Sequence, residues 1–523
     1  MSLNRKTMLS ATLSNYIHLL IKIIVSLFLV RIMFLGMEQE AYGFWALFWS
    51  IFGYSVLLEF GLGVTIQKKS AEFMAANKMK HISSLFSTYL VVYFMISLII
   101  ALSTILMSIY LESLFVISDK DRVEEYSLAL LVFGLGSAAS FSLGFGVEIL
   151  KGLHLLKIRN LINTLFVLLN AMLLWQCVVW DQPLYIFALV AVSIQFLNNL
   201  SFFFILKRNI PDLRLSLKLV NLSDVRSSMK FSLSAYLVMF SNIVIFRTDQ
   251  IIISAIAGVS FAGLYQIASR VAELFRQFAT QFHESLSTKA AMLDADDDKQ
   301  ELSRLLTHSN KIISAIASLL FIPMYLLIEE LLFLWLKIDD QQTILVAKIL
   351  LISMYILVVF RSSMVQVLLM NNKHAQLMKI GLLEALSNVS LSIILVHYYG
   401  MIGAAIGTLI PNIVFALFYN IPVALQYSST SIKSYLKSYL FPLLVSFVST
   451  LYLGHILQEF IVPDSILKLF FSGLIVSIFF SVLYGLFAFY KELRSKFPEL
   501  FPSANYLHFL FILLHKQYKR IKS

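Results

Sequence analysis

Residues 82–109 read ISSLFSTYLVVYFMISLIIALSTILMSI, a long run that contains no charged side chain. About 20 apolar residues in a helix cross the hydrocarbon core of a bilayer, so this run predicts a membrane-spanning helix. Hydrophobic residues make up 59% of the 523-residue chain and charged residues only 14%, and the mean hydropathy is +0.82. Because soluble domains carry about 25% charged residues, the composition excludes a protein built only of soluble domains.

Similar apolar runs recur along the whole chain and predict an all-α polytopic membrane protein with about fourteen transmembrane helices. We place spans 1 to 14 at 10–33, 41–66, 82–109, 127–150, 158–180, 184–206, 231–257, 261–287, 308–330, 343–370, 375–398, 401–425, 438–459 and 465–490. The segments between these spans are too short for a soluble catalytic domain.

The net charge of +11 follows from membrane topology. With fourteen alternating spans, 30 of the 41 Lys and Arg residues fall on the side that holds both termini. The opposite loops hold only Lys120, Arg122, Lys337 and Lys348. Basic residues concentrate in cytoplasmic loops, so both termini are expected in the cytoplasm. The basic excess therefore predicts no nucleic-acid partner.

An internal repeat divides the chain. Leu35-Gly36 at the end of span 1 is matched by Ala257-Gly258 at the end of span 7. Two six-span units in the same orientation, followed by a two-span extension, are typical of transporters. The expected parts are an N-terminal lobe (1–208), a cytoplasmic linker (209–230), a C-terminal lobe (231–426), the extension (427–490) and a tail with an interfacial helix (491–523).

Span 8 carries one polar stripe along its whole length. At 100° per residue, six of its residues share an arc of about 80°; they are Gln266, Arg270, Glu273, Gln277, Gln281 and Glu284. Such a stripe predicts a helix that lines an aqueous path. A simple i,i+3 ion pair between Arg270 and Glu273 is the alternative, and it explains two of the six residues.

Other spans also hold polar or ionisable side chains, which are costly in hydrocarbon and usually face water or a bundle interior. They are Asn15, His18, Lys22 and Ser26 on one face of span 1, Glu59 in span 2, Arg247 and Asp249 on opposite faces of span 7, Arg361 in span 10 and Glu384 in span 11. Positive charges slightly exceed negative ones at mid-depth, which favours an anionic substrate.

Motifs for enzymatic chemistry are missing from the sequence. It contains no G-x-x-x-x-G-K-[ST] phosphate loop and no zinc-ligand spacing. The acidic run at 294–298 is typical of a solvated loop, and Cys177 has no second cysteine to pair with. We therefore expect no metal, no cofactor and no enzymatic activity.

Two groups of segments carry a family resemblance. Residues 35–45, followed by Leu58-Glu59-Phe60-Gly61-Leu62-Gly63, resemble the signature of polysaccharide-repeat (O-antigen, Wzx-type) flippases. Residues 248–253 with 265–268, and 400–408, are similar to segments that recur in their superfamily, the multidrug/oligosaccharidyl-lipid/polysaccharide (MOP) exporters. Glu59 departs from the aspartate that the family often has there.

The resemblance implies a MOP/MATE-like fold, with two six-helix lobes forming a V around a central cavity. It implies a bacterial inner-membrane flippase for an undecaprenyl-diphosphate-linked oligosaccharide, whose lipid tail passes a gap between spans 1 and 8. An H⁺ or Na⁺ gradient would supply the energy. A polysaccharide polymerase and a chain-length regulator would be partners, beside the membrane lipids.

Residue roles follow as expectations. Substrate-binding candidates are Lys22, Arg247, Arg270, Arg361, Gln266, Gln277, Gln281 and Asn15. Ion-coupling candidates, which the sequence does not rank, are Glu59, Asp249, Glu273, Glu384 and His18. Two alternatives stay open: a drug or cation exporter of the same fold, which would favour an acidic cavity, and a membrane-embedded glycan enzyme or non-transporting scaffold.

Overall fold

The computed structural model describes residues 5–76, 78–211, 213–280, 299–362, 365, 374–427, 429, 431–460, 463–490 and 495. These residues are almost entirely helical, and no strand occurs among them. The α-helices are α1 (Arg5–Gly36), α2 (Gln39–Gly53), α3 (Leu62–Ala75), α4 (Met79–Ile109), α5 (Leu111–Leu114), α6 (Val123–Ser142), α7 (Gly146–Gly152), α8 (Leu156–Val179), α9 (Leu184–Asn209), α10 (Leu222–Ile256), α11 (Val259–Thr280), α12 (Lys299–Leu326), α13 (Ile328–Leu336), α14 (Gln341–Ile356), α15 (His374–Phe415), α16 (Ile421–Tyr427), α17 (Ile432–Tyr435), α18 (Phe441–Phe460) and α19 (Ile466–Ala488).

Helices occupy all fourteen predicted spans, which confirms the all-α polytopic class. Ten helical ranges among the described residues are long and apolar enough to cross a membrane. One of them, Gln376–Gln426, contains two predicted spans. The polar-striped helix α11 is not among the ten, because Arg270, Glu273 and Arg276 lie close together in it. The ends of predicted spans 8 and 10 lie outside the described residues.

Two predicted spans are broken helices. Span 2 consists of α2, a 3-10 helix at Tyr54–Glu59 and α3. The break follows from the left-handed backbone of Phe60 and Gly61, with φ of 49° and 72°. Span 4 is divided between α6 and α7. The sequence predicted both spans as continuous because their apolar composition does not change at the breaks.

Helix α15 is a helical hairpin. Gly400 has non-helical dihedral angles (φ 56°, ψ −138°), and beyond it Gly407 lies against Ser392 while the Asn388 side chain reaches the Gly407 carbonyl. The chain therefore reverses at Gly400. This position agrees with the predicted end of span 11 at 398 and start of span 12 at 401.

The helix boundaries show the internal repeat. Helix α1 ends at Gly36 and α2 begins at Gln39, and both boundaries recur at one common offset, at Ile256 and Val259. The same offset makes Gly43 the counterpart of Gly263, and the two glycines lie against each other. A Cβ built on Gly263 would be 3.1 Å from Gly43 Cα. Only residues without a side chain allow α2 and α11 to approach this closely.

The chain divides into two compact units. The first contains Met1–Ile267 and Gly381–Gly407, and the second contains Ala268–Ile380 and Thr408–Ser523. In the first, α6 packs against α4 and α9, and α1 packs against α8. In the second, α12 packs against α18 and α19. The predicted division into lobes, linker, extension and tail stays a prediction, and most of the tail lies outside the described residues.

Candidate functional site

A buried polar stripe lies on the first half of the α15 hairpin. Glu384, Asn388 and Ser392 follow one another at every fourth position, which places them on one helix face. Their exposed fractions are only 1%, 1% and 0%. Buried polar groups require polar partners, so this face marks a place where the membrane-spanning helices exchange hydrogen bonds.

Asp249 of α10 meets this stripe. Its carboxylate accepts a hydrogen bond of 2.6 Å from the Tyr265 hydroxyl and one of 2.9 Å from the Ser392 hydroxyl. The residue is 4% exposed. Three helices therefore converge on one buried carboxylate, since Tyr265 belongs to α11 and Ser392 to α15.

A backbone carbonyl completes this group. Proline has no N–H, so Pro411 cannot donate the helical hydrogen bond to the carbonyl of Gly407, one helical turn before it. Asn388 Nδ2 donates to that carbonyl at 3.4 Å. Gly407 also adjoins Ser392, whose hydroxyl would be 2.6 Å from a Cβ built on the glycine. We call Asp249, Tyr265, Asn388, Ser392 and the Gly407 carbonyl the Asp249 cluster.

The Asp249 cluster contains carboxylate, hydroxyl, amide and carbonyl oxygens. Hard cations prefer such oxygen ligands. Helix-breaking positions that leave carbonyls free are also where transporters hold Na⁺ or H⁺. The described residues contain no group of three or more His, Cys, Asp or Glu side chains that fits a metal ion. A carboxylate surrounded by such oxygens has the chemistry that suits a small hard cation or a proton.

Arg247 lies just before Asp249 in α10 and faces away from the cluster. Its Nη1 donates to the carbonyl oxygen of Trp49 in α2 at 2.9 Å, and its side chain is exposed. Among the described residues, no carboxylate oxygen lies within 4.0 Å of its guanidinium. The charge of Arg247 is thus held by a neutral backbone group.

The stripe of α11 contains the ion pair that the alternative predicted, and its lining of an aqueous path stays a prediction. Arg270 Nη1 and Glu273 Oε2 form an ion pair of 2.8 Å, as the alternative predicted, and Gln277 donates to Glu273 at 3.3 Å. Gln266 and Arg270 are half-buried. On the opposite face Val271, Phe275 and Ala279 are buried, whereas Phe278 is exposed. The predicted members Gln281 and Glu284 lie outside the described residues.

The stripe of α1 contacts α8. Asn160 Nδ2 donates to the side chain of Asn15, and His18 Nδ1 lies 2.9 Å from Thr164 Oγ1. Lys22, one turn further along α1, is exposed. The structure therefore separates the predicted stripe into a helix-packing part and an exposed lysine.

Two further candidates lie elsewhere. Glu59 ends the 3-10 segment of span 2, and its Oε2 and the Cδ of Glu148 lie 3.6 Å and 3.5 Å from a Cβ built on Gly63. Lys151 pairs with Glu148 at 2.6 Å. Arg361 belongs to a π-helical segment, Leu357–Ser362, and is half-buried.

Sequence reasoning missed several members of these groups. Ser392 was findable, because it continues the spacing of Glu384 and Asn388. The role of the Gly407 carbonyl was findable from the position of Pro411. Tyr265 carried no such signal, since its hydroxyl reaches Asp249 only through the packing of α10 against α11.

Comparison with known proteins shows the fold. No protein-family model matches the chain, and no curated protein matches it. Among solved structures, the lipid II flippase MurJ in an inward closed conformation is 15% identical, with a TM-score of 0.69 over 92% of this chain and 99% of that one. An inward-facing multidrug resistance MATE family transporter of the MOP superfamily is 17% identical, with a TM-score of 0.64 over 79% and 98%. An outward-facing one is 18% identical, with a TM-score of 0.52 over 80% and 95%.

At these identities the similarity establishes architecture alone. The chain is a multi-pass membrane protein with the fold of MOP-superfamily transporters. The similarity specifies neither a substrate nor a coupling ion.

Proposed function

We propose that this chain is a flippase that moves an undecaprenyl-diphosphate-linked oligosaccharide repeat unit across the bacterial cytoplasmic membrane by alternating access. The repeat unit belongs to O-antigen or another surface polysaccharide, and a polymerase and a chain-length regulator act on the product. Both termini lie in the cytoplasm. The chain forms and breaks no covalent bond of the substrate.

The exposed Arg247 carries this proposal. It lies about 14 Å along the helix axis from the end of α10 at Ile256, which is near the middle of a hydrocarbon core of about 30 Å. An exposed guanidinium at that depth faces water or a ligand, because lipid contact is costly. Guanidinium groups bind phosphate oxygens in pairs, so an anionic, phosphate-bearing substrate fits this position.

The other polar stripes supply the remaining contacts in this proposal. Arg270, held by Glu273, and the amides of Gln266 and Gln277 give α11 a face suited to sugar hydroxyls. Lys22, Arg361, Gln281 and Asn15 stay proposed substrate contacts. Of these, Asn15 is the weakest, because Asn160 already engages its side chain.

The Asp249 cluster is the proposed coupling site. Asp249 combines a buried carboxylate with hydroxyl partners, and one of these, Ser392, adjoins Gly407, whose carbonyl receives no helical hydrogen bond from Pro411. Glu384 lies two helical turns before Ser392 on the same buried stripe of α15. Glu59, Glu273 and His18 rank lower, because each already lies against a nearby ionisable or helix-packing group.

A drug or cation exporter is the second candidate, since MATE transporters share this fold. Such an exporter would concentrate cationic dyes, whereas the exposed charge of Arg247 repels cations. Dye efflux from cells that overproduce the chain, compared with cells that produce Arg247→Ala, separates the two functions. A flippase gives no efflux with either protein.

Complementation of a deletion strain tests the proposal. Loss of the gene should remove the surface glycan and leave lipid-linked repeat units on the cytoplasmic leaflet. Wild type should restore the glycan. Arg270→Ala should not, although it inserts normally, whereas Arg31→Ala should restore most of it because Arg31 lies near the end of its span.

Two results would contradict the proposal. Unchanged glycan in the deletion strain would remove the flippase function and favour the exporter. Equal loss with Arg270→Ala and Arg31→Ala would show that the α11 stripe has no special role in transport.

A further inference from the structure

Hydroxyl contacts fix the rotation of α10 against α2 and the start of the 3-10 helix that follows it. Ser50 donates to the Gln250 side chain, and the Tyr54 hydroxyl contacts that of Thr248. Both helices belong to the first compact unit. With these two contacts made, Arg247 emerges at the edge of the helix pair, beside Trp49 and Gly53, which lie one turn apart on α2.

Gly53 leaves the space that the Arg247 guanidinium occupies; we call this space the seat of Arg247. A Cβ at this position would lie 2.7 Å from Cζ and 2.9 Å from Nε of the guanidinium, and closer still to Nη1. Real side chains do not approach this closely, so any residue other than glycine moves the guanidinium. The arginine is the far end of a flexible side chain, so the shift would cost the fold little.

Trp49 lies beside this seat with part of its ring exposed. Its exposed fraction is 38%, whereas residues 40–48 of α2 are all buried. Trp45 and Phe133 contact it edge-on, with centroid distances of 5.9 Å and 5.2 Å. Two perpendicular aromatic contacts hold the indole in one orientation.

The depth of Trp49 excludes an interfacial anchor. It lies about 15 Å along the helix from the start of α2 at Gln39. Tryptophans that anchor membrane proteins occupy the two interfaces instead. The backbone carbonyl of Trp49 accepts the Arg247 hydrogen bond, so the residue that carries the exposed indole adjoins a charged group, which hydrocarbon does not solvate.

We propose that Trp49 and Arg247 form a subsite for the sugar–diphosphate junction of the substrate, an inference that rests on the proposed function. The guanidinium binds diphosphate oxygens, and the indole packs against the apolar face of the first sugar ring. Gly53 is a positioning residue, because it acts only through the placement of Arg247. The subsite therefore requires a ligand in which a sugar ring is attached directly to a phosphate group.

Binding to the purified full chain in nanodiscs tests this subsite with two probes: undecaprenyl diphosphate, and undecaprenyl diphosphate bearing one N-acetylglucosamine. Trp49→Leu should weaken binding of the sugar-bearing probe about 10-fold and that of the bare diphosphate less than twofold. Trp175→Leu, at another exposed tryptophan (49%), is the matched control and should change neither.

Gly53→Ala tests the seat. Gly53→Ala should weaken the binding of both probes. In an Arg247→Ala background it should weaken binding no further, whereas a merely structural defect would still do so. Equal effects of Trp49→Leu on both probes, or an effect on neither, would overturn the subsite while leaving the flippase standing. If wild type binds neither probe, the proposed function fails, and the subsite fails with it.

Discussion

Arg247 and Asp249 are near neighbours on one helix and occupy opposite environments. Arg247 is exposed and donates to a neutral carbonyl of α2. Asp249 is 4% exposed and is held by two hydroxyls from α11 and α15. Among the described residues no carboxylate lies within 4.0 Å of the Arg247 guanidinium, which therefore suits an anionic ligand, whereas the buried and hydrogen-bonded carboxylate of Asp249 suits a small cation.

In the proposed function, α10 serves two ligands. The Arg247 face suits an anionic substrate, and the Asp249 face suits a small cation. A rigid helix between them would let occupancy on one side affect the other, provided that each ligand binds the two conformations of the transporter with different affinity. Variants at the two residues should therefore fail in different ways.

The largest effect is expected from Asp249→Asn. Without the Asp249 carboxylate, the coupling ion would no longer bind one conformation of the transporter more tightly than the other. Substrate movement driven by an imposed ion gradient should therefore fall to the rate of passive leak. Binding of undecaprenyl diphosphate should stay within twofold of wild type. Flux and binding in the same proteoliposomes check both statements. Gradient-driven flux in Asp249→Asn would remove Asp249 from coupling.

Arg247→Ala should show the reverse pattern. Loss of charge-assisted hydrogen bonds, each contributing about 1.5–3 kcal/mol, should weaken undecaprenyl diphosphate binding about 10- to 100-fold. Arg247→Lys should fall between, because lysine keeps the charge and loses the planar fork. Unchanged binding in Arg247→Ala would break the comparison, since the exposed cation would then have no substrate role.

Gly43→Ala should reduce stability and leave the binding chemistry unchanged. A Cβ on Gly43 would lie 2.8 Å from the Val259 carbonyl carbon and closer to its oxygen, where rigid backbone blocks it. Overpacking of this kind costs about 1–3 kcal/mol. The contrast with Gly53→Ala, which meets a flexible side chain, should appear as a lower midpoint of thermal unfolding for Gly43→Ala alone.

The smallest effect is expected at Asp340, a carboxylate at a helix N-terminus in a loop. Slight burial of the Asp340 carboxyl raises its pKa. Hydrogen bonds donated by Thr343 and Gln342 outweigh this effect, so the pKa of Asp340 is lowered below its ordinary value. Its stabilisation is therefore present above the ordinary carboxyl pKa and lost as the pH falls through the lowered one.

Asp340→Ala is the control for Asp249→Asn, because it removes an exposed carboxylate instead of a buried one. It should cost about 0.5–2 kcal/mol of stability, as other N-cap removals do, and gradient-driven flux should equal that of wild type. Unfolding midpoints at neutral pH and flux assays give the two numbers. A flux defect as large as that of Asp249→Asn would mean that burial does not distinguish the two carboxylates.

Much of the fold could be predicted from the sequence. Apolar runs located helices at all fourteen spans, and Gly400 separated spans 11 and 12 where the chain reverses. The breaks within spans 2 and 4 could not be predicted, because backbone conformation at Phe60 changes without a change in hydropathy. The helix ends pair Gly36 with Ile256, whereas the sequence motif paired it with Gly258, so the motif placed the repeat slightly out of register.

The sites were harder to predict than the fold. Single-helix periodicity placed Arg247 and Asp249 on opposite faces of α10, and the structure has them so. Periodicity does not show which helix a face meets. It therefore left Asp249 unranked, linked Asn15 to the substrate path rather than to Asn160, and gave no reason to notice Trp49.

Binding and transport measured in the same membranes separate the roles of Arg247 and Asp249. Purified wild type, Arg247→Ala and Asp249→Asn would be compared in proteoliposomes for undecaprenyl diphosphate binding and for ion-gradient-driven translocation of the sugar-bearing lipid. The account predicts that Arg247→Ala loses binding, whereas Asp249→Asn keeps binding and loses gradient-driven translocation. Loss of binding to the same degree in both variants, or translocation by both at the wild-type rate, would contradict it.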